Sequence, residues 1–314
     1  MTEQCASAVL MIRPAAFDYN PETAATNSMQ QRTAQPGSGS ANNEHARDEF
    51  QQLVRALESE GISVCAVEDT PAPPKPDAIF PNNWVSFHTD GTLVLYPMHA
   101  ENRRCERRPE VIDAVVARTG FKVTRTIDLT HHELQGRCLE GTGSLVLDHK
   151  NRRAYASISP RTHPAVVEEW ARALGYEPVL FESMDRAGKP IYHTNVLLCV
   201  GERLVVAGTG AIAPADRGRV LEHLQSGGRE VIEIDLDEIE QFAGNMLELA
   251  SWDEALGDCR VLVMSASARR ALKPDAFARL SACTDAVLAA PIPTIETLGG
   301  GSVRCMLAEV FLPS

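Results

Sequence analysis

The chain has 314 residues, 44% of them hydrophobic and 23% charged, enough apolar material for a sizeable core and too much for general disorder. Lysine and arginine number 30 against 42 acidic residues, and a net charge of −12 argues against a nucleic-acid partner. No run approaches the roughly 20 apolar residues of a membrane span, and no basic stretch precedes a long apolar segment. A cytoplasmic protein without membrane contact is expected.

The first predicted elements are a strand over Val9 to Arg13, a helix over Glu49 to Leu57 and a strand over Ser63 to Val67. Between them, residues 27–43 are rich in Ser, Thr, Gln, Gly and Asn and read as a long loop, a candidate flexible lid. From Phe80 a pattern begins that recurs. Val85 to His88 turns at Asp90-Gly91 into Leu93 to Tyr96, then come a helix around Val111 to Val116 and a strand over Lys122 to Ile127. The next unit has Ser144 to Leu147, a turn at Asp148 to Asn151, Arg153 to Ser157, a helix over Ala165 to Leu174, and Pro178 to Phe181. A third runs from Asn195 through Val196 to Val200, Leu204 to Ala207 and a helix near Arg219 to Leu224, closing with Val231 to Ile234. A fourth has Met246 to Leu249, Val261 to Met264 and a helix in 268–281. The N-terminal segment completes a fifth unit if Leu307 to Leu312 supplies its missing strand.

Unit starts at 83, 143, 195 and 245 lie 60, 52 and 50 residues apart, each unit reading strand, turn, strand, helix, strand. Units this small bury their apolar faces only against neighbours, and five can close radially. The expected fold is therefore α/β: a single domain over 1–314, a five-bladed propeller of pseudo-fivefold ββαβ units. An ordinary α/β sheet with loose hairpins remains the alternative. Radial closure would bring the unit starts, about 50 residues apart in sequence, to one axis.

Those starts carry Asp77 with Asn82-Asn83, Leu139-Glu140-Gly141-Thr142-Gly143, His193-Thr194-Asn195 and Gly244-Asn245, and the chain closes with Gly299-Gly300-Gly301-Ser302-Val303-Arg304-Cys305. Glutamate, histidine and cysteine at equivalent points form an inventory of orienter, base and nucleophile. A free thiol is only about 3% ionised at pH 7, and a nearby imidazolium together with a glycine turn would favour the thiolate. The eight cysteines show no CxxC and no regular framework, so the others read as reduced packing or surface residues. Three rival signals are weaker. Gly208-Thr209-Gly210-Ala211-Ile212-Ala213 matches a dinucleotide pattern, but its upstream strand belongs to a hairpin. His131-His132-Glu133 with Cys138 has no recognised zinc spacing, so no metal and no cofactor is expected. The run Arg103, Arg104, Arg107 and Arg108, interleaved with Glu101, Glu106 and Glu110, reads as a solvated helix face.

Taken together, these motifs resemble the guanidine-modifying superfamily of five-bladed ββαβ propellers: arginine deiminases, dimethylargininases and amidinotransferases. Phe80-Pro81-Asn82-Asn83 stands in the place of the F-x-x-D motif. Leu139-Glu140-Gly141 is similar to L-E-G, Ser159-Pro160-Arg161-Thr162 to S-x-R-T, His193-Thr194-Asn195 to H-x-D, and Gly299 to Cys305 to G-G-G-x-x-R-C. The resemblance implies Cys305 as nucleophile, His193 as acid/base, Glu140 as orienter or substrate binder and Arg161 as carboxylate anchor. Asp77, Asn82, Asn83 and Asn195 join them as substrate-binding candidates. Asn83 and Asn195 stand where arginine-directed members carry aspartates. Leaving a buried guanidinium without those partners costs roughly 3–5 kcal/mol, whereas an asparagine, both donor and acceptor, suits a neutral ureido group. The chain thus looks most like the citrulline-utilisation hydrolases. That reading implies a small amino-acid substrate and conversion of citrulline to ornithine, carbon dioxide and ammonia through an S-carbamoyl cysteine. Asp77 and Glu140 keep arginine or methylarginine hydrolysis open, an inactive binding propeller is the further alternative, and the oligomeric state is left open.

Overall fold

The computed structural model describes residues 4–32, 39–253 and 257–312. Within them five units repeat one pattern. In each, a first strand pairs antiparallel with a middle strand, which pairs parallel with a third reached through a helical crossover. The first unit has β1 (Ala8–Arg13) parallel to β2 (Ser63–Glu68), with Ala8 opposite Ser63. Its remaining strand comes from the far end of the chain: Ala308–Val310 runs antiparallel to β1, with Ala8 opposite Val310, as the sequence predicts.

The other units are β3 (Val85–Phe87), β4 (Thr92–Leu95) and β5 (Arg125–Asp128); β6 (Val146–Asp148), β7 (Arg153–Ile158) and β8 (Glu177–Glu182); β9 (Leu198–Val200), β10 (Leu204–Ala207) and β11 (Glu230–Glu233); and β12 (Leu247–Asp253), β13 (Gly257–Ser265) and β14 (Ala286–Ala290). Ala308–Val310, here β15, also touches β3 through the parallel pair Val310 and Phe87, merging the first two units into one six-stranded sheet. The other three sheets stay separate, so the arrangement is propeller-like without hydrogen-bonded closure.

Local chemistry explains the elements. Helices Pro109–Thr119, Pro164–Leu174, Pro214–Gln225 and Pro274–Ala282 each begin on a proline, whose fixed φ suits the first turn and whose missing N–H is no loss there. Each buries residues three or four apart against its sheet, as Val166, Val167, Trp170, Ala171 and Leu174 do. Middle strands such as Val261 to Met264 are buried on both faces and so carry unbroken apolar runs.

Several boundaries differ from the sequence reading. The first long helix starts at Gly39, not Glu49, so residues 39–43 leave the predicted loop; residues 33–38 lie outside those described. The strand expected from Lys122 starts at Arg125. The expected helix 268–281 divides into Ala266–Ala271 and Pro274–Ala282, because Pro274 cannot donate into a continuing helix. Among the described residues no helix is long and apolar enough to cross a membrane.

The first strands gather at the centre, β9 lying against both β6 and β12. Just before four of them come short turns, Pro81–Asn83, Gly141–Ser144, Thr194–Val196 and Val303–Met306, with the Gly141–Ser144 turn packed on two of the others. Asn82, Asn83, Asn195 and Cys305 sit on these turns, and Glu140 and His193 stand directly before two of them.

Candidate active site

Cys305 lies in the turn Val303–Met306 and is 3% exposed. Two side-chain amides face the sulfur: Asn245 Nδ2 at 3.4 Å and Asn195 Nδ2 at 3.6 Å. Asn245 also donates to the Asn195 carbonyl at 2.9 Å and accepts the Arg304 N–H at 3.1 Å, tying two unit starts to the turn that carries the sulfur. Sequence reasoning noted Asn245 at a unit start but did not place it in the site.

Across the cavity, His193 Nε2 bonds Glu140 Oε2 at 2.8 Å. Both are buried. Burial pulls the imidazole down to about 4 even though Glu140 opposes it. Burial acts to raise the Glu140 carboxyl, but Arg161 and the His193 hydrogen bond outweigh it and hold the group well below the usual carboxylate range. The resting pair is a neutral imidazole beside a carboxylate. The other Glu140 oxygen accepts the His99 N–H at 3.0 Å, which fixes the carboxylate plane.

Arg161 reaches Glu140 at 3.4 Å, donates to the Thr23 carbonyl at 2.7 Å and to Thr26 Oγ1 at 3.0 Å, and lies over the Tyr192 ring at 5.0 Å. Tyr192 in turn donates to the Gly300 carbonyl at 2.6 Å. The glycine triplet has a steric cause. A Cβ on Gly299 or Gly301 would come within 3.0 Å of the Phe80 ring, and Gly300 has φ +62° with Gln30 backbone 2.7 Å from where a Cβ would stand.

Of the two adjacent asparagines, Asn83 lines the cavity, whereas Asn82 donates to Thr142 Oγ1 at 3.4 Å and accepts from Asn83. Arg103 donates to Asn83 Oδ1 at 2.8 Å and makes a two-pronged contact with Glu106, both distances 2.9 Å. This corrects the reading of the arginine run as a solvated face. Arg103 is 2% exposed and Glu106 is buried with it, while Arg104 remains partly exposed. The ion pair at i and i+3 is what permits both to enter the interior. Burial pushes Glu106 up to about 7 despite Arg103.

Asp77 also lines the cavity. Its Oδ2 accepts from Asn20 at 2.7 Å and Thr23 at 3.0 Å, and its buried Oδ1 has no partner among the described residues. Asn20, Thr23 and Asn27, which donates to the Gly300 carbonyl at 3.0 Å, belong to a segment lying over the site. The covering therefore starts earlier than the loop boundary at residue 27, and Asn27 and Gln30 are buried rather than free. Under it the cavity at Cys305 and His193 measures about 20 Å³, room for about one water.

Three comparisons bear on identity. The family model described as N,N dimethylarginine dimethylhydrolase, eukaryotic, matches residues 13–312. No curated protein sequence matches the chain significantly. Among solved structures, the N-terminal domain of ArgZ, an arginine dihydrolase from the ornithine-ammonia cycle in Cyanobacteria, was crystallised as a cysteine-to-serine variant bound to substrate. It aligns with TM-score 0.73 and 18% identity over 98% of both chains; the present chain spans 41% of full-length ArgZ. A cysteine-to-alanine variant of AgrE with L-arginine gives TM-score 0.75 at 17% identity, covering 98% of this chain and 40% of that one. A dimethylarginine dimethylaminohydrolase adduct with S-methyl-L-thiocitrulline gives 0.65 at 16%, over 98% and 100% of the two chains. At these identities the structural likeness establishes the fold.

Proposed function

The chain belongs to the N,N-dimethylarginine dimethylhydrolase family within the guanidine-modifying superfamily of C–N hydrolases, and from that footing we propose that it hydrolyses the ureido group of citrulline. The observation that carries the reading is the pair of neutral amides, Asn195 and Asn245, facing the Cys305 sulfur. A guanidinium seated over that sulfur would meet amides there, and behind Asn83 the buried Arg103 cation stands 2.8 Å away. A neutral urea with one C=O and one NH₂ suits such groups better than a cation does.

In the proposed reaction the neutral His193 takes the Cys305 proton and the thiolate attacks the ureido carbon. His193 then delivers that proton to the departing amine of ornithine, leaving an S-carbamoyl enzyme. Water, deprotonated by the same imidazole, attacks the thiocarbamate carbon, and the C–S bond breaks as the imidazolium returns the proton to the Cys305 sulfur. The carbamate released decomposes to carbon dioxide and ammonia. Glu140 orients His193 and stabilises the imidazolium while it exists. Arg161 takes the substrate carboxylate in place of Thr23 and Thr26, and the unpartnered Asp77 Oδ1 receives the α-ammonium. A cavity of about 20 Å³ cannot admit an amino acid, so the covering segment from Asn20 to Gln30, which overlaps only the start of the 27–43 lid candidate, must move aside and close again.

Arginine or methylarginine hydrolysis is the second reading, favoured by Asp77, a buried carboxylate at the cavity with an oxygen to spare. Assays of the purified protein with citrulline, arginine and dimethylarginine, quantifying ornithine, citrulline and ammonia, separate the two. Ornithine formed from citrulline supports the proposal. Turnover of arginine or dimethylarginine with citrulline inert overturns it. Unchanged turnover in Cys305→Ala would remove the covalent mechanism.

A further inference from the structure

Away from the catalytic cavity, His131 and His132 on the turn Thr130–Gln135 face Glu169 on the helix Pro164–Leu174. We propose that these three residues bind a divalent transition-metal ion of the zinc class, independently of which substrate the enzyme takes. Their nearest ligand atoms all lie within 4.8 Å of one another. His132 Nε2 is 2.9 Å from Glu169 Oε2, and His131 Nε2 is 3.9 Å from Glu169 Oε1. Donors bound to one zinc ion at ordinary bond lengths stand about 3.3 Å apart. The half-exposed His131 ring can make up the difference by a small rotation.

The neighbouring groups prepare the donors. His131 Nδ1 lies 3.2 Å from the Asp128 carbonyl, so its ring proton sits on Nδ1 and the Nε2 lone pair faces Glu169. The two imidazole rings lie 4.2 Å apart at 34°, and each offers a nitrogen within 4.8 Å of the other's and of a Glu169 oxygen. His132 is nearly buried and held in place, while Glu169 and His131 reach solvent, so an ion can enter and keep water in its remaining positions. Two imidazoles and one carboxylate select zinc, copper, nickel or cobalt over calcium and magnesium, which prefer oxygen.

Binding moves the His132 proton from Nε2 to Nδ1 by exchange with solvent. That nitrogen is buried and has no partner among the described residues, so the affinity is expected to be modest compared with a closed structural zinc site. An ion here would clamp the turn to the helix. The segments between them are already paired, Cys138 O with His163 N at 2.8 Å and Glu140 N with Arg161 O at 3.2 Å.

The test is a Co²⁺ titration of the Cys305→Ser protein, which lacks the nucleophilic thiol as a competing ligand. One equivalent should bind, with visible d–d bands, no thiolate charge-transfer bands and a rise in Tm. His131→Ala and Glu169→Gln, both at solvent-reaching positions, should each weaken binding by about tenfold or more. Thiolate bands, absence of saturable binding at millimolar Co²⁺, or wild-type affinity in both variants overturns the site.

Discussion

Glu140 Oε2 and His193 Nε2 meet at 2.8 Å although 53 residues separate them, and neither side chain reaches solvent. The carboxylate is the main support for any positive charge on an imidazole that burial otherwise keeps neutral. Glu140→Gln keeps the shape and removes that support, so the imidazolium needed between proton uptake and delivery becomes harder to form. Turnover should fall by about 10²–10⁴, with KM changed less because Arg161 and Asp77 remain. Steady-state kinetics on the variant, with circular dichroism to confirm the fold, checks this.

Gly143 tests the same pair from the other side. A Cβ there would stand 2.6 Å from Asn83 Nδ2 and 2.7 Å from His193 Nδ1. The backbone conformation at this position tolerates an L-residue, so the strain of Gly143→Ala falls on the two side chains. Displacing a catalytic group by about 1 Å is worth about 10²-fold in rate. Gly143→Ala is expected to lose about that much in kcat while staying folded, and near-normal kcat would show that His193 has room to spare.

Asn245 holds the nucleophile without being a conspicuous motif residue. Its amide donates to the sulfur and to the Asn195 carbonyl, and its carbonyl receives the Arg304 N–H. Asn245→Ala removes a donor that grows stronger as the sulfur becomes anionic. The expected loss is about 10²-fold in the rate of Cys305 alkylation by iodoacetamide as well as in kcat. Asn245→Asp places a like charge beside the thiolate and should move the ascending limb of the alkylation rate to higher pH. A thiol that alkylates at the wild-type rate in both variants would count against the contact.

How much of this was legible follows from where polar residues interrupt apolar patterns. Glu140, His193 and Cys305 stand at unit starts, next to strands that are otherwise unbroken runs of buried residues, so both repeat and site show in one dimension. Arg103 does not. Its local neighbours Glu101, Arg104 and Arg107 give it the composition of a wet surface, and the partners that bury it beyond Glu106, Asp77 and Asn83, are 26 and 20 positions upstream. The start of the 27–43 loop misled in the same way. Asn27 is polar because it satisfies the Gly300 carbonyl, as Asn20 and Thr23 just before it satisfy Asp77, and all three are buried. Composition reports polarity and is silent on which polar group answers it.

His149 offers a pH test away from the reaction. It is fully buried against Phe311, its Nδ1 2.7 Å from the Tyr176 hydroxyl, and burial pulls its pKa down to about 3. The unfolded chain, near 6.5, takes up a proton at a pH where the folded protein does not. The stabilisation from this group is complete above pH 6.5 and is lost as pH falls toward 3. Comparison with His149→Gln isolates it from the buried carboxyls, such as Glu106 and Glu309, whose raised pKa values act in the opposite sense. The gap in unfolding free energy between wild type and variant should shrink by about 2 kcal/mol between pH 7 and pH 5. Urea titrations at the two pH values measure it, and a gap independent of pH would mean that His149 is not held neutral.

Asn83 is where the charge of the substrate is decided. Arg103 already serves Glu106 with two hydrogen bonds, lies 3.9 Å from Asp77 and donates to the Asp77 and Phe80 carbonyls, and its Nη1 fixes the Asn83 carbonyl. Asn83→Asp would put a further carboxylate on that one guanidinium. Glu106, raised to about 7, is the group most easily protonated in response, and the new charge would stay at the cavity wall. A ureido substrate would lose the amide donor and meet an anion, whereas a guanidinium would gain a partner. Citrulline kcat/KM is therefore expected to fall by about tenfold or more while arginine binds more tightly, read from parallel assays with both substrates. If Asn83→Asp leaves citrulline turnover intact, position 83 does not touch the ureido group, and the preference must rest on Asn195 and Asn245 alone.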